Sequence, residues 1–174
     1  TQKENEDLFL KNYNSNVVGL VNFLEFMSIN KEKNFKLFYA SSSHIYEKSK
    51  ISPQNENSGK LFNSNYALVK YLGLKICEHY RLRKKIFCSV GILYTHVSKY
   101  ISKNFLIKEL ANKIKKKNTK VVFVKNLNSK LDIMSAEDAV QAMQLILAQK
   151  KPDTFIISSG KLTPLKDIFS SIIK

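Results

Sequence analysis

Short apolar runs alternate with long stretches of helical period along almost the whole chain, and this alternation constrains the fold more than any single motif. Val17, Leu20, Val21, Leu24 and Met27 recur at three- and four-residue steps and predict a helix over 12–29. Phe35 to Ala40 reads as a buried strand running into a polar turn, Ser41-Ser42-Ser43-His44. A loop holding Pro53 and Gly59 covers 51–64. A second long helix follows over 65–83, with Leu68, Leu72, Ile76 and Tyr80 at four-residue spacing. Beyond it the pattern predicts a strand over 86–93, a helix over 104–116, a strand over 120–125 and a helix from Ser135 to Gln149. A strand over 154–158 and a helix over 163–173, with Pro164 at its first position, complete the series. Strands separated by helices pair by crossover connections, so the expected class is α/β with a mostly parallel sheet.

At 174 residues the chain is long enough to bury a core. No apolar run approaches the ~20 residues that span a bilayer, so no membrane association is expected. Two cysteines, Cys77 and Cys88, cannot make a disulfide framework or a zinc site by themselves. They read as core thiols in a reducing cytoplasm, with no metal site expected. The net charge of +15 suggests a nucleic-acid partner, but the basic residues argue otherwise. Only Arg81 and Arg83 are arginine, and phosphate or base readers exploit the arginine fork. The runs Arg81–Lys85 and Lys113–Lys117 read as solvated helix ends, and no nucleic-acid partner is expected. A doubly wound sheet begins with a strand, a glycine-rich turn and a helix. None of the five glycines builds a G-x-G-x-x-G, so a dinucleotide-binding reading places the phosphate-binding unit ahead of Thr1.

Three elements carry chemistry. Tyr66-Ala67-Leu68-Val69-Lys70 puts a phenol and an ammonium four residues apart on one helix face. A neighbouring cation favours phenolate, which makes a tyrosine usable as acid or base near neutral pH. Ser42 stands in the turn just past a strand's carboxyl end, on the sheet edge where open α/β folds bind ligands, and can share a substrate oxygen with Tyr66. The strand Gly91-Ile92-Leu93 ends in Tyr94-Thr95-His96 at the same edge. His79, within the second long helix, reads as structural.

These elements, in this order, resemble the extended short-chain dehydrogenase/reductases that act on nucleotide sugars, and most of all the GDP-mannose 4,6-dehydratases. The likeness rests on Asn16-Val17-Val18-Gly19, Ala40 to Tyr46, Ser64 to Lys70, Gly91 to Ser98, Asp132 to Met143 and Asp153 to Gly160. It implies a partial Rossmann-type doubly wound parallel sheet lacking its first βαβ unit. Residues 1–98 would supply the later half of that domain. Residues 99–174 would contribute to a small substrate-binding domain and return to the sheet. The resemblance further implies a GDP-sugar substrate, NADP or NAD as cofactor, and a homo-oligomer for the full-length protein. Tyr66 would take the 4-hydroxyl proton while a hydride passes from C4 to the cofactor. Lys70 would lower the tyrosine pKa and hold the nicotinamide ribose, and Ser42 would hydrogen-bond the same oxygen. His96 would face the cofactor, and Ser43 and Thr95 the substrate. Oxidation at C4 acidifies the C5 proton; water then leaves from C6, and the hydride returns there.

Three positions depart from the family pattern. The glutamate that serves as base at C5 is His44 here. Histidine can abstract a proton at neutral pH, which also suits a 4-keto-sugar epimerase or reductase. The alternative is a surface histidine in a degenerate homologue or fragment that no longer binds NADP. The family asparagine after the Gly-Ile-Leu strand is Thr95. The arginine before the Asp132 position is Leu131, which removes a diphosphate contact. Asp138 matches the family and reads equally as a helix cap.

Overall fold

The computed structural model describes residues 9–103, 105–115 and 126–173, so the strand expected over 120–125 lies outside the described residues. The first helical stretch runs in three pieces: α1 (Phe9–Tyr13), a π-helical turn (Asn14–Val18) and α2 (Gly19–Ile29). Strand β1 (Lys36–Ser42) leads through a 3-10 turn (Ser43–Tyr46) and a long loop to α3 (Asn65–Lys84). Then come β2 (Phe87–Leu93), β3 (Thr95–Val97), α4 (Leu106–Lys115), β4 (Lys130–Ser135) and α5 (Ala136–Ala148). The described chain closes with β5 (Thr154–Ile157), β6 (Leu162–Pro164) and α6 (Leu165–Ile173).

Among the described residues the strands form two three-stranded sheets. The first has the order β1-β2-β5 and is wholly parallel. The period of two along its strands separates two layers. Leu37 and Tyr39 of β1, with Cys88, Val90 and Ile92 of β2, meet Leu20, Leu24 and Met27 of α2 and Leu74 and Cys77 of α3. Phe38 and Leu93 turn the other way, onto Ala139, Met143 and Ile146 of α5. Both faces are therefore covered, which is why the strands read as continuous apolar runs. Leu24 is fully buried, and its burial contributes about 1.5–3 kcal/mol. Gly73 lets α3 lie on Tyr39, since a Cβ there would stand 2.1 Å from the Tyr39 hydroxyl.

Several sequence expectations are corrected. Ser41 and Ser42 belong to β1 rather than to a turn, because they pair with Ile92 and Leu93 and are buried. β3 and β6, with three residues each, are too short to show a period, and the burial along β4 does not alternate. They exist through pairing, β4 lying parallel to β3 and antiparallel to β6, so the second sheet is mixed. Pro164 ends β6, and the last helix starts at Leu165. Arg81 is no solvated helix end. Its guanidinium donates to Cys88 O and Thr154 Oγ1 and lies 3.8 Å from Asp153, tying α3 to β2 and β5. Cys77 and Cys88 are buried against each other, and their mutual hydrogen bond, together with burial, pushes the Cys77 thiol up. No described helix is long and apolar enough to cross a membrane.

Candidate active site

The parallel strands β1 and β2 end side by side, Ser42 opposite Leu93. Their carboxyl ends open on a cleft of about 680 Å³. Ser42, Ser43, His44, Tyr66, Lys70, Thr95 and His96 all line it. Residues up to 54 apart in sequence thus reach one surface, because β1, β2 and the start of α3 converge there.

Ser64 caps α3 by accepting from the Ala67 N–H at 3.2 Å, which sets the helix start and places Tyr66 in its first turn. Lys70 follows one turn later, with Nζ 5.8 Å from the Tyr66 ring centre. Ser42 Oγ accepts from the His44 N–H at 3.3 Å, and the Ser42 hydroxyl is close enough to the Tyr66 phenol to favour its charged form. Burial raises the Tyr66 pKa above its ordinary value, and the neighbouring Ser42 hydroxyl offsets this only in part. Burial likewise lowers the Lys70 ammonium. The expected direction, a phenol lowered by Lys70, is therefore reversed in the chain as it stands. Lys70 Nζ donates to Asn16 Oδ1 at 2.9 Å and Ala40 O at 3.0 Å instead of to the phenol.

Asn16, which holds Lys70, is a residue to which sequence reasoning gave no role. It sits in the π-turn, where the Gly19 N–H reaches Asn14 O. Its amide nitrogen donates to Asn12 O at 3.1 Å, which turns Oδ1 toward Lys70. The signal was present: Asn12, Asn14, Ser15 and Asn16 are weak helix formers inside a helical period, and π-turns concentrate at functional sites.

The His44 ring meets the Tyr66 ring edge-on at 5.6 Å, with Nδ1 3.4 Å from Glu47 Oε2. His96 is exposed, and its Nδ1 lies 3.0 Å from Tyr94 O. Thr95 starts β3 and pairs with Ile133. Leu131 packs beside Leu165, Ile168 and Phe169, so the apolar residue at this position completes a small core. Asp132 is buried and accepts from the Ser159 N–H at 2.7 Å. Asp138 is in the first turn of α5, its N–H donating to the Ser135 cap. His79 is exposed on α3 with its ring 5.9 Å from that of Tyr80. An ammonium, a phenol, a hydroxyl and an imidazole around one cleft suit the vicinal hydroxyls of a sugar or of a nucleotide ribose.

A doubly wound parallel sheet, a serine-tipped strand and a Tyr-Lys helix define a Rossmann-type extended short-chain dehydrogenase/reductase. Within that class the chain belongs to the GDP-mannose 4,6 dehydratase family, whose family model matches residues 10–173. GDP-mannose 4,6 dehydratase of Drosophila melanogaster is 30% identical over 146 residues, which cover 82% of this chain and 37% of that protein. The chain thus spans well under half the length of this curated relative. A solved UDP-N-acetylglucosamine 4-epimerase from Methanobrevibacter ruminantium superposes with a TM-score of 0.89 at 15% identity, covering 98% of this chain and 55% of that one. dTDP-glucose 4,6-dehydratase of Bacillus anthracis, solved with NAD, gives a TM-score of 0.81 at 20% identity, covering 92% and 51%. These structural likenesses concern the fold.

Proposed function

We propose that this chain carries the catalytic side of a nucleotide-sugar dehydratase that converts a GDP-hexose such as GDP-mannose to its 4-keto-6-deoxy derivative. The observation that carries this reading is the convergence of Ser42, Tyr66 and Lys70 on one cleft at the mouth of two parallel strands, with Lys70 Nζ 5.8 Å from the Tyr66 ring centre. Membership of the dehydratase family supports the same substrate class. The donor set at the cleft fits the nicotinamide ribose, with Lys70, Tyr66 and His96 as the residues that would hold it. NADP or NAD, when bound, would supply reversible two-electron oxidation at C4 and a positive charge beside the phenol. Tyr66 takes the proton of the 4-hydroxyl, and Ser42 donates to the same oxygen and holds it in line. Lys70, held by Asn16 and Ala40, stands over the Tyr66 ring and favours phenolate once further positive charge offsets burial. His44 occupies the position from which the acidified C5 proton is taken. Ser43 and Thr95 face the sugar. Residues 99–174 serve the substrate side of the cleft and return β5 to the main sheet.

A second reading, a 4-keto-sugar epimerase, is favoured by one observation, the imidazole of His44 beside Tyr66. A cationic imidazole stabilises an enolate, which permits reversible exchange at C5 without loss of water. Incubating the whole protein with GDP-mannose and NADP separates the two. Release of a 4-keto-6-deoxy product supports the dehydratase. Deuterium exchange at C5 of a 4-keto sugar without dehydration supports the epimerase. Absence of both refutes the enzymatic reading.

A further inference from the structure

We infer that Glu47 is a positioning residue that fixes the tautomer of His44 and makes the pair act as one base, an inference that rests on the proposed role of His44 at C5. Glu47 Oε1 accepts from the backbone N–H groups of Asn63 and Ser64, at 3.0 and 3.1 Å. Oε2 accepts from Ser64 Oγ at 3.3 Å and lies 3.4 Å from His44 Nδ1. The carboxylate is thus held by the segment that caps the catalytic helix, and its side chain is only 19% exposed. Burial raises the Glu47 pKa, but the bonds from Asn63, His44 and Ser64 outweigh it and hold the carboxyl below its usual range.

An ionised carboxylate can only accept. The proton of neutral His44 is therefore on Nδ1, and the basic lone pair is on Nε2. The ring lies between Glu47 and the Tyr66 ring, on the wall of the cleft. Charge bookkeeping gives the pair a second property. Neutral imidazole plus carboxylate carries one negative charge, and it becomes neutral on taking a proton. A single glutamate at the same place makes the same change, so the His44–Glu47 pair supplies electrostatically what a lone histidine does not. The C5–H electron pair stays on the sugar as the enolate of the 4-ketone, and the proton goes to Nε2.

The test begins with the whole protein labelled with 15N-histidine, above the imidazole pKa and without sugar or cofactor. A His44→Gln variant assigns the His44 signals by their loss. The expected pattern is a protonated Nδ1 and an unprotonated Nε2. In Glu47→Gln the amide oxygen still accepts from Asn63 and Ser64, while the amide nitrogen donates to Nδ1, so the proton moves to Nε2. Glu47→Asp keeps an acceptor and restores the wild-type tautomer in part. With a 4-keto sugar, Glu47→Gln lowers the C5 exchange rate at saturation about 10–100-fold with KM nearly unchanged, as for other partners that orient a histidine. A wild-type Nε2–H tautomer, or a tautomer that Glu47→Gln does not move, overturns the inference. A tautomer switch in a protein inactive on GDP-hexoses leaves Glu47 as the positioning residue and refutes the dehydratase reading instead.

Discussion

Lys70 Nζ donates to Asn16 Oδ1 at 2.9 Å, joining α3 to a π-turn 54 residues earlier. This bond and the one to Ala40 O hold a half-buried ammonium that would otherwise be costly to desolvate. Asn16→Ala removes one of the two acceptors. Stability should fall by about 1–3 kcal/mol, read as a lower urea midpoint with unchanged slope. Turnover of the whole protein should fall with it, while Asn16→Asp, which keeps an acceptor, should retain more of both. An Asn16→Ala variant with wild-type midpoint and turnover would remove Asn16 from the site.

Tyr66→Phe should lower dehydration by about 10²–10⁴-fold without unfolding the chain, as circular dichroism would verify. Ser42→Ala removes the hydroxyl that offsets burial at Tyr66, so the phenol rises further. In the proposed mechanism Tyr66 acts as the phenolate, so the acid limb of the kcat profile should move to higher pH. Ser42→Thr keeps a hydroxyl and should restore the limb.

Tyr39 is buried against α3, and its hydroxyl has no hydrogen-bond partner. Tyr39→Phe should therefore be neutral or stabilising by about 1 kcal/mol in thermal or chemical unfolding. Gly73→Ala places a Cβ 2.1 Å from that hydroxyl and 2.3 Å from Cζ, so the buried Tyr39 ring must shift. A cost of about 1–3 kcal/mol is expected. A Gly73→Ala chain as stable as wild type would show that α3 can shift on β1.

Alkaline pH should weaken the fold through Tyr46. Its ring is 3% exposed, its hydroxyl donates to Asn55 O at 3.0 Å, and burial, aided by Tyr94 and Glu56, pushes its pKa from 10.0 up to about 12. The stabilising contribution is whole below pH 10. Above it the unfolded chain loses the phenol proton while the fold keeps it, so stability falls until the folded pKa is passed. The loss is about 2–3 kcal/mol at most. Urea midpoints should drop between pH 10 and 12, and Tyr46→Phe should flatten that limb. Parallel pH profiles for the two proteins would show that Tyr46 is not the source.

Local order set what could be read in advance. The helical period of 12–29 and 65–83 and the apolar runs at 35–40 and 86–93 gave the α/β class, because covering both faces of a sheet writes a pattern into every strand. Tyr66 and Lys70 were legible because four residues along a helix make a common face. Ser42 was legible because a strand end at a sheet edge is a defined place. Asn16, Glu47 and the short strands β3, β4 and β6 were decided only by the tertiary structure. The Asn16 amide means nothing until α3 brings Lys70 to it. Glu47 is an ordinary loop carboxylate until the Asn63–Ser64 backbone folds over it. The Tyr66 pKa also depends on how deeply the ring is buried and where Lys70 spends its protons. Each of these is a pairing between distant segments, and hydrogen bonds and desolvation depend on distance in space rather than on position along the chain.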